Sequence, residues 1–493
     1  MEPVLLILIG LGLALTALAA VVLIRTLTVR DRARPPSIPT PESEDESPEI
    51  DVRSAAERLA GAVRIPTTAE DGGSAFQALH TYLREAFPRV HETLNVETIA
   101  RHSLLYTWRG TDPTAPPILL LGHLDVVPAD PETVNDWTHP PFSGRITRTH
   151  IWGRGTLDDK QSVLGLLEAV EALLKAGFRP RRTLVLAFGH DEETGGQGAQ
   201  ALAAHLREAG MRFATCLDEG MAVTEGMLAG IDQPAALVGI AEKRSFSVRL
   251  VVEGEGGHTS MPPAHTAVGR LSTAIHRLER HPRPMRITRP VRQMFEALAP
   301  AAAFGTRLAF ANLWLAGGAV KRRLDAAPRT RALIRSTAAA SMIRAGVKPN
   351  VLPSRAEAVV NFRILPGETA RQMVDHVREV VDDPAVHLEP LGAIDNASPV
   401  VADVSSPGYR VLARTIRQSF PDAIVAPALV TGATDSRHYQ GVSDAVYRFS
   451  PMRVTPGDLG RIHGVDERIG VAAYGRYIRF YVQLIINLDR AEI

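Results

Sequence analysis

The chain has 493 residues, 45% hydrophobic and 22% charged, which is apolar material enough for two or three domains. Its 55 basic and 54 acidic residues nearly cancel, and no basic stretch or motif points to a nucleic-acid partner. The single cysteine, Cys216, excludes an intrachain disulfide framework.

Residues 4–24 form one apolar run, of about the length that crosses a bilayer once as a helix. Arg25, Arg30, Arg32 and Arg34 follow it. The run lacks a basic leading region and is long for a signal peptide, so an uncleaved membrane anchor is expected. The alanine-rich stretch at 17–20 leaves secretion after cleavage as the alternative. The arginines favour keeping their flank inside, whereas a large domain after one span is often exported, so the side stays open. Residues 35–49, rich in Pro, Ser, Glu and Asp, read as a solvated linker.

The body begins with helices predicted over 51–63 and 74–87. Strands follow at 103–108 and 118–121, then a helix over 161–176 ended by Gly177, a strand at 183–188 and a helix at 199–208 closed by Gly210. This alternation predicts an α/β class with a largely parallel sheet flanked by helices. Such sheets place their sites beyond the carboxyl ends of the strands. From Lys243 the pattern changes to strands at 246–252, 356–362 and 385–389 with helices at 267–278 and 369–381. That pattern predicts a smaller α+β layer. Residues 282–346 read as an apolar, Arg-studded helical region with Phe304, Leu308, Phe310, Leu313 and Trp314. Ordinary core is the first reading of these, and a groove for an apolar substrate group is the alternative. The α/β pattern returns after Ser398, through 423–425 to a terminal helix over 471–488. The expected units are 51–242 and 396–493 for the main body, with 243–395 inserted.

Gly122-His123-Leu124-Asp125-Val126-Val127-Pro128 follows the apolar run 118–121. His123 and Asp125, two apart at a strand end, share a face and suit a metal ligand and its supporting carboxylate. Asp158, Glu193, Asp218 and His463 also fall at strand ends or in short loops. Two imidazoles with three carboxylates suit zinc or a similar divalent ion. A pair of ions needs a ligand that spans them, and Asp158 in Gly153-Arg154-Gly155-Thr156-Leu157-Asp158-Asp159-Lys160 fits that part. In Asp191-Glu192-Glu193-Thr194-Gly195-Gly196, one glutamate can bind a cation while the other takes a proton. Taken singly, each of these residues also reads as a surface charge, a helix cap or a turn.

Together these stretches, with Leu217-Asp218-Glu219-Gly220 and Ile462-His463-Gly464, resemble the co-catalytic zinc metallopeptidase family of carboxypeptidase S, aminoacylase-1 and glutamate carboxypeptidase. The motifs occur in the family's order from about residue 51 to the end. The resemblance implies a zinc-exopeptidase fold whose inserted layer is a lid or dimerisation domain. It implies two zinc ions, with cobalt or manganese as substitutes. Asp158 would bridge them, His123 and Asp218 would bind one, and Glu193 and His463 the other. Asp125 would orient His123, Glu192 would be general base and acid, and the Asp158–Asp159 bond would be cis. His258 in Gly256-Gly257-His258-Thr259-Ser260 would polarise the scissile carbonyl, often from across a homodimer. Asn350 and Arg363 would hold the carbonyl oxygen and the substrate carboxylate. Gly432 and Thr434, in Gly432-Ala433-Thr434-Asp435, would belong to a substrate loop.

Trp314 within Asn312-Leu313-Trp314-Leu315, Ala345-Gly346-Val347-Lys348-Pro349-Asn350-Val351 and Tyr447-Arg448-Phe449-Ser450-Pro451 resemble the carboxypeptidase S branch, which includes N-fatty-acyl-amino-acid synthase/hydrolases. The implied reaction is cleavage, or reverse formation, of an amide between an acyl group and an amino acid. A carboxypeptidase or dipeptidase acting on short peptides is the alternative. A catalytically inactive binding protein on the same fold is the competing class. The presence of Glu192 and of every expected ligand argues against it.

Overall fold

The computed structural model describes residues 2–31 and 48–492, so most of the expected linker lies outside the described residues. The strand Ile118–His123 is buried along its whole length, as an apolar run inside a parallel sheet should be. Its alternate residues feed two cores. Ile118 and Leu120 face the helices Lys160–Lys175 and Val471–Arg490. Leu119 and Leu121 face Leu202 and Leu206 of the helix Gln197–Glu208. The helix Lys160–Lys175 stops at Gly177, which takes the left-handed conformation that a side chain would resist.

The large sheet runs, in order, Asn95–Ile99, Ser103–Trp108, Leu184–Gly189, Ile118–His123, Thr215–Asp218, Val446–Arg448, Ala235–Glu242, Val223–Thr224 and Arg453–Val454. Ile424–Val430 also pairs with Ala235–Glu242. The central neighbours 184–189, 118–123, 215–218 and 446–448 are mutually parallel, and the flanking 95–99 and 103–108 are antiparallel. The fold is therefore mixed α/β with a mainly parallel centre.

A second sheet is wholly antiparallel, in the order Thr337–Ala345, Arg355–Ile364, Arg244–Glu253 and Val386–Leu391. Strand Arg355–Ile364 alternates buried and half-exposed residues. Its buried face packs under the helices Ala267–Arg280 and Ala370–Val381. Thr369 starts the latter with a reciprocal cap to Gln372.

Two features depart from the sequence reading. Residues 337–345, expected to be helical, form an edge strand. Their alanines favour helix locally, but pairing with Arg355–Ile364 overrides that weak preference. The helices between Arg289 and Ile334, although enclosed in sequence by strands of the small sheet, pack instead on the large one. Met294 and Phe295 meet Leu237, Ala426 and Leu429 there.

Candidate active site

Parallel pairing puts the carboxyl ends of three strands side by side. His123 ends one, Glu192 and Glu193 follow the second in a single turn, and Asp218 ends the third with Glu219 next. Asp158 stands just before the helix Lys160–Lys175, and the Asp158–Asp159 bond is cis. His463 joins from a loop where its backbone takes a left-handed conformation.

Asp158 lies between the two imidazoles. Its Oδ1 is 3.0 Å from His123 Nε2 and its Oδ2 is 3.0 Å from His463 Nε2. Glu193 Oε1 is also 3.0 Å from His463 Nε2. Two donor groups result, Asp158–Glu193–His463 and His123–Asp158–Glu219, in each of which the ligand atoms all lie within 4.8 Å of one another. Asp158 is common to both.

Asp218 takes a backbone amide on each of its carboxylate oxygens. Its Oδ1 accepts the Glu219 N–H at 3.0 Å and its Oδ2 the Ser436 N–H at 2.8 Å. The further carboxylate oxygen grouped with His123 and Asp158 belongs to its neighbour Glu219. Asp218 thus fixes the turn that presents its neighbour. Adjacent acids at a strand end look alike in sequence, and only the backbone direction past residue 218 separates them.

The chemistry of this donor set fits divalent cations. Burial works against a charged ring at His123, but Asp125 and Asp158 outweigh it and hold the imidazole protonated well above its ordinary range. Hydrogen bonds to Asp158 and Glu193 push His463 up to about 10. Burial raises Asp158, yet the hydrogen bonds from both imidazoles overcome it and hold this carboxyl well below the usual range. Crowded carboxylates that draw protons onto two histidines call for positive charge, which an imidazole-and-carboxylate set takes as zinc or a similar ion.

Glu192 offers a different property. Burial pushes it up to about 7, with Glu193 and Asp158 adding to the effect and His123 and Arg437 opposing it. Arg437 Nη1 is 3.8 Å from Glu192 Oε1. A carboxyl poised near neutrality suits proton transfer in both directions.

A cleft of about 820 Å³ runs past Glu192, Glu219 and His463 to Arg244, Arg363 and Gly432. The Arg363 guanidinium has no ion-pair or hydrogen-bond partner among the described residues, whereas that of Arg244 is bound by Asp395. Thr434 does not open to the cleft. It is buried, and Glu242 accepts from its N–H at 3.0 Å and from its hydroxyl at 3.2 Å. His258 and Asn350 lie together elsewhere. His258 is exposed on a short strand paired with Val351–Leu352, and the Asn350 carbonyl accepts the Thr259 N–H at 3.4 Å. Neither lines the cleft within one chain. The apolar residues Phe310 and Leu313 do not line it either. Phe310 stacks on Phe295 at 4.3 Å within the core beside the large sheet.

Sequence reading missed Glu467. This fully buried carboxylate accepts the N–H groups of Gly155 at 2.9 Å and Leu157 at 2.7 Å, and it pairs with Arg154 at 2.5 Å. Arg154 in turn donates to the His463 carbonyl at 3.1 Å. One ion pair therefore ties the loop before Asp158 to the loop carrying His463. Its only trace in the sequence is an acid four residues after His463.

The model of Peptidase family M20/M25/M40 matches residues 119–487. The N-fatty-acyl-amino acid synthase/hydrolase PM20D1 of Xenopus tropicalis is 41% identical over 445 residues, covering 89% of this chain and 86% of the relative. Probable carboxypeptidase S-like 2 of Dictyostelium discoideum is 41% identical over 419 residues, covering 84% and 80%. Among solved structures, the metallo-carboxypeptidase Sso-CP2 of Sulfolobus solfataricus shares the fold with a TM-score of 0.67 at 17% identity, covering 89% of this chain and 99% of that one. On the family match and these relatives, the chain belongs to Peptidase family M20/M25/M40 and is a hydrolase of the metallopeptidase class.

Proposed function

We propose that the protein hydrolyses, or in reverse forms, the amide bond of N-acyl amino acids, fatty-acyl ones among them. The observation that carries this reading is the Arg363 guanidinium, unpaired among the described residues, in the same cleft as Glu192 and the two donor groups. An amino-acid carboxylate at Arg363 would leave the substrate amide nearer the carboxylates, with the acyl chain extending onward. Relatives named as N-fatty-acyl-amino acid synthase/hydrolases support the acyl part. The carboxypeptidase S-like relative supports a second reading, cleavage of short peptides at the same site.

His123, Asp158 and Glu219 would hold one divalent cation, and Asp158, Glu193 and His463 the other. A bound zinc pair supplies Lewis acidity to water and to the amide carbonyl. Glu192 takes the proton of the attacking water on its carboxylate as the new C–O bond forms. It returns that proton to the amide nitrogen as the C–N bond breaks, leaving a carboxylic acid and an amine. Arg437 keeps the Glu192 carboxylate within the cleft, and Asp125 holds His123. The apolar helix Val4–Val29 would anchor the enzyme to a membrane.

The test is a substrate panel with N-oleoyl-phenylalanine and unmodified dipeptides, each with zinc, cobalt and manganese. Turnover of the acyl amino acid is expected. Turnover of dipeptides alone overturns the N-acyl reading in favour of a peptidase.

A further inference from the structure

The apolar N-terminal helix does not stand free of the folded body. Along residues 4–29 of the helix Glu2–Asp31 the side chains are exposed except for a stripe at Leu18, Val22, Thr26 and Val29. That spacing is one helical face, and Thr26 on it is fully buried. The face rests on the helix Phe304–Ala311 and the turn before it. Asn312, itself buried, donates from Nδ2 to the Val22 carbonyl at 3.3 Å and to Thr26 Oγ1 at 3.1 Å. Arg25 Nε donates to the Ala311 carbonyl at 3.3 Å.

This docking point has a definite height. At about 1.5 Å per residue, the stretch from residue 4 to 23 measures about 30 Å, the thickness of a hydrocarbon core. Asn312 therefore meets the helix where a spanning segment leaves the lipid. Around it, Phe304, Trp314 and Leu315 are 54%, 55% and 54% exposed. The segment 282–335 carries eleven Lys and Arg against two acids, Glu296 and Asp325. Arg322, Arg323 and Arg329 of that segment are exposed and have no ion-pair partner among the described residues. Exposed tryptophan beside basic residues is the composition of a lipid–water interface.

The geometry points to a membrane-seated surface formed by the helices Phe304–Ala311 and Leu313–Asp325, which dips Phe304, Trp314 and Leu315 into the face of an anionic bilayer beside the anchor. Its basic residues meet the phospholipid headgroups, and the Asn312 contacts hold the body at a fixed angle to the span. The inference rests on the anchor reading given above and goes beyond it.

Tryptophan depth can be read against a small background, because Trp108 and Trp137 are buried in the main body and Trp152 is half-buried there beneath Arg468. The full chain is reconstituted in vesicles of dibrominated phosphatidylcholine with phosphatidylglycerol, alongside a Trp314→Phe variant. Bromine quenching that disappears in W314F is expected. The triple variant Arg322→Glu, Arg323→Glu, Arg329→Glu should lower that quenching toward the level seen without phosphatidylglycerol. Equal quenching in wild type and W314F, with the intact mass showing residues 1–31 retained, overturns the seated surface while leaving the anchor standing. A mature chain cut near residues 17–20 overturns the anchor and this surface together.

Discussion

The carboxylate of Asp125 lies 3.2 Å from Nδ1 of His123. The same carboxylate accepts the N–H groups of Glu192 at 3.1 Å and Glu193 at 3.0 Å. The Asp125 main-chain carbonyl accepts from the same Nδ1 at 3.0 Å, so this residue orients the imidazole, whose Nε2 faces Asp158, while its carboxylate fixes the turn that carries the base and a further ligand. Carboxylates behind ligand histidines typically change metal affinity or activity about 10–100-fold when removed. Asp125→Asn should show a loss at the upper end of that range, because it disturbs two strand ends at once. Chelator competition and kcat/KM measured together check this.

The choice between two adjacent acids is open to direct test. Glu219→Gln should yield protein with less bound metal by elemental analysis. Asp218→Asn should keep its metal but lose about 1–3 kcal/mol of stability, the usual cost of a buried N–H left without its acceptor. The opposite pattern would restore Asp218 as the ligand.

Glu192→Gln should fold, bind metal and lose turnover by at least the 10²–10⁴-fold or so that general acid–base groups contribute. The base must be ionised, so activity falls as pH drops through the Glu192 pKa. Burial pushes that pKa up to about 7, and bound cations oppose the shift. The acid limb of kcat/KM is therefore expected at or below that value, and it should vanish from the residual activity of Glu192→Gln.

Removing one member of the Arg154–Glu467 pair leaves a buried charge alone, which commonly costs about 3–5 kcal/mol. Glu467→Ala should lower the midpoint of urea unfolding accordingly. It should also weaken metal binding, since both ligand-bearing loops lose their tie. Unchanged metal affinity with reduced stability would limit the pair to a structural part.

Chelation should abolish activity and lower Tm, with zinc restoring both. A ligand present at about 1,000 times its Kd stabilises the native state by about 4 kcal/mol, so the shift should be visible in a melting curve. A Tm unaffected by chelator would argue against metal held between these strands.

Much of the centre was legible because its residues sit at strand ends, where one apolar run fixes which side chain comes last. His123 and Glu193 are of that kind, whereas Asp158 stands before a helix and His463 in a loop, legible only through the motifs around them; the structure brings the four together. Asp218 and Glu219 were not separable, because both are acids and only the turn decides. Glu467 was invisible for a different reason. Its partners Gly155, Leu157 and Arg154 lie about three hundred positions away, and nothing local in its own stretch marks it as buried. The edge strand Thr337–Ala345 was misread because its alanines carry no alternation, and its shape is imposed by a neighbour.

The strand Ile118–His123 packs on both of its faces, and its final amide donates to Asp159 Oδ2 at 3.1 Å. The imidazole at its tip is consequently held by two separate cores. It cannot drift without loosening both. Deuterium should enter the Leu120 and His123 amides only when the whole molecule opens, so the reacting centre belongs to the slowest-exchanging part of the protein.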